Sequence, residues 1–319
     1  MVRIGVDTPH KEEAERCLRE AFPHAHNLYK ICDPWESSYQ PGMRETELKR
    51  SCSSKPVQQC QTALSPSTRI GCGGKFFLFS GAFINSEQGL AVAHATAPGK
   101  EITLESNQAS SDAGRTIGEC LETYDNLQRR SGEKLSADLA LLKVNSSLVD
   151  NTVRWPITSG RTLRIKLYKE EQKVSDDTGV MIVDQNGKFQ YGHIHRDHFT
   201  DENNKLHNVL AISAVRGEKE VSITQIGDSG ALVTSHPRKD DEVVYVYGIV
   251  TGIYTDPKPT NVRQSATPEW RNTESRYGIT GGSYTIANSL WEVIHELCNN
   301  SNYRTDLRND NKPDDIDFV

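Results

Sequence analysis

The stretch that decides the fold reads FFLFSGAFINSEQGLAVAH and runs from Phe76 to His94. It contains two apolar segments, Phe76–Ile84 and Gly89–His94, which are separated by polar residues. Short runs that are rich in Phe, Ile, Leu and Val and bounded by Gly or Asn are typical of β-strands. The stretch therefore predicts two consecutive strands, the second of which ends at a histidine.

The same pattern of short strands and turns continues from about residue 68 to residue 285. No long helices alternate with these strands, as a parallel α/β sheet would require. The density of short strands predicts an all-β fold, either a barrel or a sandwich. The other predicted strands are Glu101–Leu104, Leu139–Val144, Thr162–Tyr168, Gly179–Val183, Phe189–Ile194, Asn208–Val215, Ala231–Thr234 and Val243–Ile253.

The two ends of the chain differ from this central region. Residues 1–64 form a predicted N-terminal extension, in which apolar residues recur at helical spacing between Thr8 and Phe22. Residues 286–298 present one apolar face and predict a C-terminal helix. The polar, aspartate-rich tail over residues 299–319 is expected to be disordered.

Composition and charge exclude several classes of protein. The chain has 319 residues, of which 35% are hydrophobic and 25% charged, as in globular proteins. No apolar run approaches the ~20 residues that span a membrane, so no membrane partner is expected. The net charge of −6, without a basic stripe, argues against nucleic acid as a partner. Residues Met1–Asp7 lack the apolar core of a signal peptide and the seven cysteines are scattered, so we expect a cytoplasmic protein with reduced thiols.

Three residues that are far apart in the sequence can together carry out nucleophilic catalysis. His94 ends the second predicted strand, Asp138 directly precedes the apolar run Leu139–Val144, and Ser229 lies in the segment Gly227-Asp228-Ser229-Gly230. A serine hydroxyl is a weak nucleophile near neutral pH and needs a base, which is most often histidine. A carboxylate then holds the histidine in the tautomer that can accept the proton.

Five segments resemble motifs of the chymotrypsin-like serine peptidases, a family that carries its catalytic triad in the order His, Asp, Ser. The resemblance covers roughly residues 70–298, and the order of the three residues is the same here. The matching segments are Gly81-Ala82-Phe83-Ile84-Asn85, Ala93-His94, Asp138-Leu139-Ala140-Leu141-Leu142-Lys143, Gly227-Asp228-Ser229-Gly230 and Gly248-Ile249-Val250.

The resemblance implies a fold and an activity. The implied fold is two six-stranded antiparallel β-barrels with the active site in the cleft between them. The first barrel would span about residues 65–152 and the second about 153–285, and residues 286–298 would be the family's C-terminal helix. The implied activity is that of a serine endopeptidase, which acts on a protein or peptide substrate and needs no cofactor.

The resemblance also implies a role for each residue of the site. His94 is the expected general base, Asp138 orients it, and Ser229 is the nucleophile. The N–H groups of Gly227 and Ser229 are expected to form the oxyanion hole. The expected substrate-binding residues are Ile223, at the floor of the specificity pocket, and Thr251, Gly252 and Ile253, which form the edge that pairs with a substrate strand.

The predicted specificity follows from the pocket floor. The family's Lys- and Arg-specific members need an acidic residue at that position, whereas this chain has Ile223. An apolar or neutral side chain is therefore expected at the cleavage point, with Gly281 and Gly282 on the pocket wall.

The chain departs from the family at several positions. Ala95, Phe79 and Gln225 stand where secreted members have cysteines, so the family's two familiar disulfides are absent. Secreted members also pair the acid next to the nucleophile, here Asp228, with a new N-terminal amine that an activating cut creates. Ile70, the one candidate for that terminus, lies too close to His94. We therefore expect no such activation, and Asp228 should find another donor or reach solvent.

Two alternative functions remain open on the sequence alone. His193, His195 and His198 lie close together with Asp197, and His207 follows, so a metal-binding protein is one alternative. The first two histidines share one face of a strand. The other alternative is an inactive protease fold that serves as a binding scaffold, with a regulatory partner docking on the N-terminal extension.

Overall fold

The computed structural model describes the regular elements of the chain and most of their connections. The strands are β1 (Val2–Gly5), β2 (Tyr29–Cys32), β3 (Ser38–Pro41), β4 (Arg69–Cys72), β5 (Lys75–Leu78), β6 (Phe83–Asn85), β7 (Gln88–Ala91), β8 (Glu101–Leu104), β9 (Thr116–Tyr124), β10 (Leu127–Gln128), β11 (Lys134–Leu135), β12 (Leu139–Val144), β13 (Thr152–Trp155), β14 (Arg161–Leu167), β15 (Gly179–Val183), β16 (Phe189–Asp201), β17 (Leu206–Arg216), β18 (Lys219–Val221), β19 (Leu232–Ser235), β20 (Val243–Thr255) and β21 (Ser283–Ser289). Ala93–Ala95 is a short 3-10 helix, and α1 spans Leu290–Asn299. The described residues are 2–5, 29–32, 38–41, 68–85, 87–105, 114–145, 152–155, 161–169, 177–216, 219–237, 241–255 and 282–303, with positions 13, 16, 17, 64, 66, 307 and 318.

The first sheet has seven antiparallel strands in the order β5-β4-β8-β9-β12-β7-β6. Its two end strands, β5 and β6, are consecutive in the chain and are joined by residues 79–82, so the sheet curls back on itself. The inward faces bury large side chains, among them Phe77, Phe79, Phe83 and Leu141, each at most 1% exposed. This sheet carries one of the two halves of the site described below.

The second sheet contains a closed ring of six strands. Neighbours pair in the order β20-β19-β15-β16-β17-β21, and β21 pairs back to β20, which closes the ring. Closure leaves no free edge within the ring. Further strands attach outside it: β14 and β3 to β20, β13 to β14, and β18 to β17. Two more two-stranded sheets are formed by β1 with β2 and by β10 with β11.

These two curved sheets and the C-terminal helix confirm the predicted all-β fold with a C-terminal helix. The first sheet has seven strands rather than six. The predicted strand Phe76–Ile84 is interrupted at residues 79–82, because Gly81 has a φ of +71° and Ser80 Oγ donates a hydrogen bond to the carbonyl of Leu90. Strand β9 was not predicted, since Gly, Thr and Glu interrupt its apolar alternation.

The C-terminal helix begins later than the predicted 286–298. Ile286 lies in β21, opposite Ala211 of β17 and Gly252 of β20, and the helix starts at Leu290. This segment closes the ring by pairing with β17 and β20. The pairing outweighs the helical spacing of its apolar residues. The buried face of α1, which includes Val293, Ile294 and Leu297, packs into a core cluster that contains residues of both sheets.

The tail beyond α1 is partly folded, so the prediction of a disordered tail is wrong for two of its residues. Leu307 is 1% exposed and Phe318 is 8% exposed, and both belong to the core cluster that contains α1. These are apolar side chains in an otherwise polar segment, and burial removes their surface from water.

Most of the N-terminal extension lies outside the described residues. Of the predicted helix between Thr8 and Phe22, only Glu13, Arg16 and Cys17 are described, and their backbone is helical. Strand β3, from the same extension, pairs with β20. Among the described helices, none has both the length and the hydropathy needed to cross a membrane.

Candidate active site

The first sheet positions His94 and Asp138 side by side. Strand β7 ends at Ala91, and the short 3-10 helix that follows carries His94. Strand β12 pairs antiparallel with β7, with Ala140 opposite Ala91, so the residue just before β12 lies next to the end of β7. That residue is Asp138, whose φ of +30° is rare for a residue other than glycine but tolerated by aspartate.

The second sheet supplies Ser229 from a tight turn before β19. The turn has two glycines with positive φ, Gly227 at +104° and Gly230 at +95°. The carbonyl of Ser229 accepts a hydrogen bond from the N–H of Leu78 at 2.8 Å, which ties the turn to β5 of the first sheet. A Cβ on Gly230 would lie 1.8 Å from the Leu78 carbonyl oxygen, so only glycine fits there.

The three side chains form one chain of hydrogen bonds across the two sheets. Asp138 Oδ2 lies 2.6 Å from His94 Nδ1, and Asp138 Oδ1 accepts the backbone N–H of His94 at 2.9 Å. Ser229 Oγ lies 2.9 Å from His94 Nε2. With the carboxylate facing Nδ1, the ring is held in the tautomer whose Nε2 can accept the serine proton.

The site is largely shielded from water. The side chains of His94 and Asp138 are 15% and 18% exposed, and Ser229 is fully buried. Electrostatic interactions are stronger in such surroundings than in water because the effective dielectric constant is lower.

The N–H groups predicted for the oxyanion hole lie in the same turn. Within the described part of the chain, neither the N–H of Gly227 nor that of Ser229 donates to a protein acceptor. Gln185 Nε2 donates to the carbonyl oxygen of Ile226 at 3.0 Å. Because a trans peptide points its C=O and N–H in opposite directions, this bond turns the N–H of Gly227 away from Gln185. Gln185 is far from this turn in the sequence, and no local pattern marked it.

Asp228 is buried and satisfied by backbone donors. It is 1% exposed, and its carboxylate accepts the N–H of Gln185 at 2.9 Å and the N–H of Gln225 at 2.8 Å. The expectation that it would find another donor than a new N-terminus agrees with this arrangement. Ile70, which an activating cut would expose, is fully buried in β4.

A cavity of about 200 Å³ lies beside the histidine. His94, Asp138 and Thr251 line it from both sheets, together with Asp125 and Lys205. Partial desolvation raises the pKa of Asp125, the negative charge of Asp138 raises it further, and His94 lowers it. The cavity therefore borders two of the three residues of the hydrogen-bonded chain, and Ser229 is not among the residues that line it.

The structure places the predicted substrate-binding residues in two different settings. Thr251 lines the cavity, whereas Gly252 and Ile253 have β-strand partners on both sides, β21 and β3. Ile223 is 6% exposed and packs in the core of the second sheet. Its N–H donates to Thr285 Oγ1 at 3.1 Å. Gly282 lies against Glu220, and Gly281 is outside the described residues.

Only two of the predicted metal-binding histidines come together. His193 and His195 lie near Glu220, and one potential ligand atom from each lies within 4.8 Å of the others. His198 is exposed and contacts Asn208 instead, and His207 faces Glu202, so neither of these histidines joins the cluster. Sequence reasoning missed Glu220 because it is distant from the histidines along the chain.

Comparisons with known proteins find similarity at the level of structure. No protein-family model and no curated protein matches the chain. A glutamic acid-specific serine protease is 14% identical, with a TM-score of 0.40 over 72% of this chain and 95% of that one. A chymotrypsin of Cellulomonas bogoriensis and protease A of Thermobifida fusca are each 12% identical, with a TM-score of 0.41 over 73% of this chain and 94% of theirs.

Proposed function

We propose that this protein is a serine endopeptidase that hydrolyses peptide bonds through an acyl-enzyme. One observation carries the proposal: the continuous chain of hydrogen bonds from Asp138 through His94 to Ser229. Each link has the residue type and the distance that nucleophilic catalysis by serine requires. The residues come from two different sheets, so the arrangement is not a by-product of local sequence.

In the proposed reaction, Ser229 Oγ attacks the carbonyl carbon of the scissile peptide bond while its proton passes to His94 Nε2. The proton then moves to the leaving amine, and the C–N bond breaks to give the acyl-enzyme. A water molecule, deprotonated by the same nitrogen, attacks the ester and restores the serine. The carboxylate of Asp138 faces the imidazolium that forms in both halves of the reaction and stabilises it.

The tetrahedral intermediates in this scheme carry an oxyanion. The N–H groups of Gly227 and Ser229 are the proposed donors, which is in keeping with the absence of a described protein acceptor for either group. A donor of this kind typically contributes about 10²–10³-fold to the rate. The side chain of Gln185 supports the turn by bonding the carbonyl of Ile226.

The proposed substrate is a protein or peptide with a neutral or apolar side chain at the cleavage point. Ile223, at the expected pocket floor, is apolar, and the neighbouring Thr224 and Thr285 contribute hydroxyls without charge. A peptide-library assay tests this specificity. A strong preference for Lys or Arg would contradict it.

A fluorophosphonate probe tests the proposed chemistry, because it reacts only with an activated serine. We expect the full-length protein to be labelled at Ser229 and the labelling to disappear in Ser229→Ala and in His94→Ala. Ser131→Ala, which changes an exposed serine in a turn, is the matched control and should be labelled as the wild type is. A folded wild-type protein that resists labelling would favour the binding scaffold over the enzyme.

A further inference from the structure

Two histidines and a glutamate form a cluster that the proposed reaction does not use. His193 and His195 are two residues apart on β16, so their side chains leave the same face of the strand. Strand β17 pairs with β16 on one side and with β18 on the other, and β18 brings Glu220 to the same place. His193 Nε2 lies 3.9 Å from Glu220 Oε2.

The cluster is partly buried and its members are held by neighbours. The side chains of His193 and Glu220 are 23% and 17% exposed. Ser213 Oγ donates a hydrogen bond to Glu220 Oε2, and the ring of Tyr284 lies 5.0 Å from that of His195. Contacts of this kind fix the orientation of side chains that bind metals.

Two imidazole nitrogens and one carboxylate oxygen are a donor set that suits zinc. In a tetrahedral site with bonds of about 2.0–2.1 Å, the ligand atoms are roughly 3.3–3.5 Å apart. The three atoms here lie within 4.8 Å of one another, so small side-chain rotations bring them to that separation. We propose that His193, His195 and Glu220 bind one Zn²⁺ ion, with water in the fourth position.

Such an ion would join β16 to β18 across β17. Strand β18 has three residues, lies outside the closed ring, and pairs with β17 alone among the described strands. Glu220 also packs against Gly282, where an added Cβ would lie 3.0 Å from the Cβ of the glutamate. Zinc therefore stabilises the folded chain and fixes the region beside the predicted wall of the specificity pocket.

Isothermal titration of the metal-free, full-length protein with zinc chloride tests this site. We expect one ion per chain and a rise in the thermal midpoint with zinc concentration, because the ion binds the folded state. His193→Ala, His195→Ala and Glu220→Gln should each weaken binding at least tenfold. His198→Ala, on the same strand but outside the cluster, is the control and should bind as the wild type does.

Three results would overturn the zinc site. The first is a wild-type protein that does not saturate below about 100 μM zinc. The second is unchanged affinity in the three cluster variants. The third is an equal loss of affinity in His198→Ala, which would indicate nonspecific binding to surface histidines. Glu220→Gln keeps the size of the side chain and its bond to Ser213, so it remains informative if a histidine variant fails to fold.

A second inference comes independently from strand β3 and rests on the proposed function. Residues Gly252–Thr255 of β20 pair with β21 on one side and with β3 on the other. Strand β3, Ser38–Pro41, comes from the N-terminal extension. The edge expected to receive a substrate strand is therefore already occupied by the chain itself.

Strand β3 runs antiparallel to β20, and the end of β3 at Pro41 lies nearest to the candidate site. Pro41 lies opposite Gly252 and Gln40 lies opposite Ile253. Proline has no N–H, so it fits a pair without hydrogen bonds, and the neighbouring pair of Gln40 and Ile253 can exchange two. Beyond Gly252, the next residue of β20 is Thr251, which lines the cavity with His94.

A peptide that binds by strand addition needs the same backbone groups of β20. We infer that β3 is an internal competitor that keeps extended substrates off this edge. A tethered segment acts at an effective concentration of roughly millimolar, so it raises the apparent KM of a peptide that needs the same edge by about the ratio of that concentration to the segment's own dissociation constant. Small reagents that reach Ser229 without using the edge are not affected.

The substitution Gln40→Pro in the full-length protein tests this competition. It removes the N–H that faces Ile253 and leaves the residues of the proposed triad unchanged. We expect kcat/KM for an extended peptide to rise at least tenfold, mainly through a lower KM. Hydrolysis of a small ester and fluorophosphonate labelling should stay within threefold. Gln58→Pro, a matched change in the same extension outside β3, should have no effect on the peptide.

The two assays separate failure of this inference from failure of the proposed function. Normal labelling with unchanged peptide hydrolysis in Gln40→Pro overturns the competition and leaves the serine hydrolase intact. A folded protein without labelling in either form overturns the hydrolase, and the competition with it.

Discussion

Asp138 contacts His94 through both of its carboxylate oxygens. One oxygen accepts the backbone N–H of His94 and the other faces the ring nitrogen Nδ1. The first bond fixes where the histidine backbone lies and the second fixes the tautomer of its ring. A single carboxylate therefore sets both the position and the tautomer of the His94 ring that faces Ser229.

Asp138→Asn should separate these two roles. The amide oxygen can still accept the backbone N–H, but the amide N–H₂ facing Nδ1 favours the wrong tautomer. We expect kcat/KM to fall about 10³–10⁴-fold with little change in the thermal midpoint. Hydrolysis of a small ester measures this effect. Asp197→Asn, at a partly exposed position on β16, is the control, and a loss below tenfold in Asp138→Asn would contradict the assigned role.

Asp125 has a pKa above the usual range, chiefly through partial desolvation and then through the charge of Asp138. A carboxyl whose folded-state pKa is raised binds more protons in the folded state, so stability falls as pH rises through the interval above its unfolded value. At pH 7 the ionised group therefore opposes folding. Because Asp125 is exposed and solvent screens its charge, the effect is small, and Asp125→Asn should raise the thermal midpoint at pH 7 by no more than about 2 °C. The gain should vanish below pH ~3.8, and calorimetry at the two pH values checks it.

The elements that matter most for the site are the ends of strands. His94 lies just after the end of β7, Asp138 lies just before β12, and Ser229 lies in the turn before β19. Paired strands are stiff, and pairing fixes where each one ends. Residues at strand ends are therefore held in place while their side chains stay available for chemistry.

Gly230, in the turn before β19, does not tolerate a residue with a side chain. A Cβ there would collide with the Leu78 carbonyl, and its φ is positive. Gly230→Ala should therefore displace the turn, lower ester hydrolysis at least a hundredfold and reduce the free energy of unfolding by more than about 2 kcal/mol. Gly132→Ala shares the positive φ but meets nothing within 4 Å, so it should lose only about 1 kcal/mol and keep its activity. Equal losses in the two variants would refute the steric explanation.

On the scale of the whole molecule, the candidate active site depends on how two sheets meet. The first sheet contributes His94 and Asp138 and the second contributes Ser229, and the backbone bond from Leu78 to Ser229 joins them. The C-terminal helix, Leu307 and Phe318 belong to a core cluster that contains residues of both sheets. Buried residues near the C-terminus therefore support the core that the two sheets share.

Phe318→Ala tests this support. The ring is buried in the core cluster with Leu307 and α1, so its removal leaves a cavity. We expect the free energy of unfolding to fall by about 2–4 kcal/mol in chemical denaturation. Tyr245→Ala removes an aromatic ring that is 47% exposed and should cost less than about 1 kcal/mol. A near-neutral Phe318→Ala would show that the tail adds nothing to the core.

The sequence alone was sufficient for features that depend on local pattern. Short apolar runs between turn residues predicted the strands. The resemblance of short motifs to those of the chymotrypsin-like serine peptidases gave the expectation that His94, Asp138 and Ser229 would meet. The structure brings these three together at hydrogen-bonding distance. Strand propensity is a local property, whereas the meeting of these three residues depends on how the two sheets pack together.

Tertiary structure decided every feature that depends on a distant partner. Ile286 lies in a strand and not in the helix because β17 and β20 offer it backbone pairing. Glu220 meets His193 only because β17 lies between their strands, and β3 covers β20 from the far end of the sequence. Hydrogen bonding and burial between remote segments outweigh the local preference for a secondary structure. Neither segment alone determines which strand will pair with it.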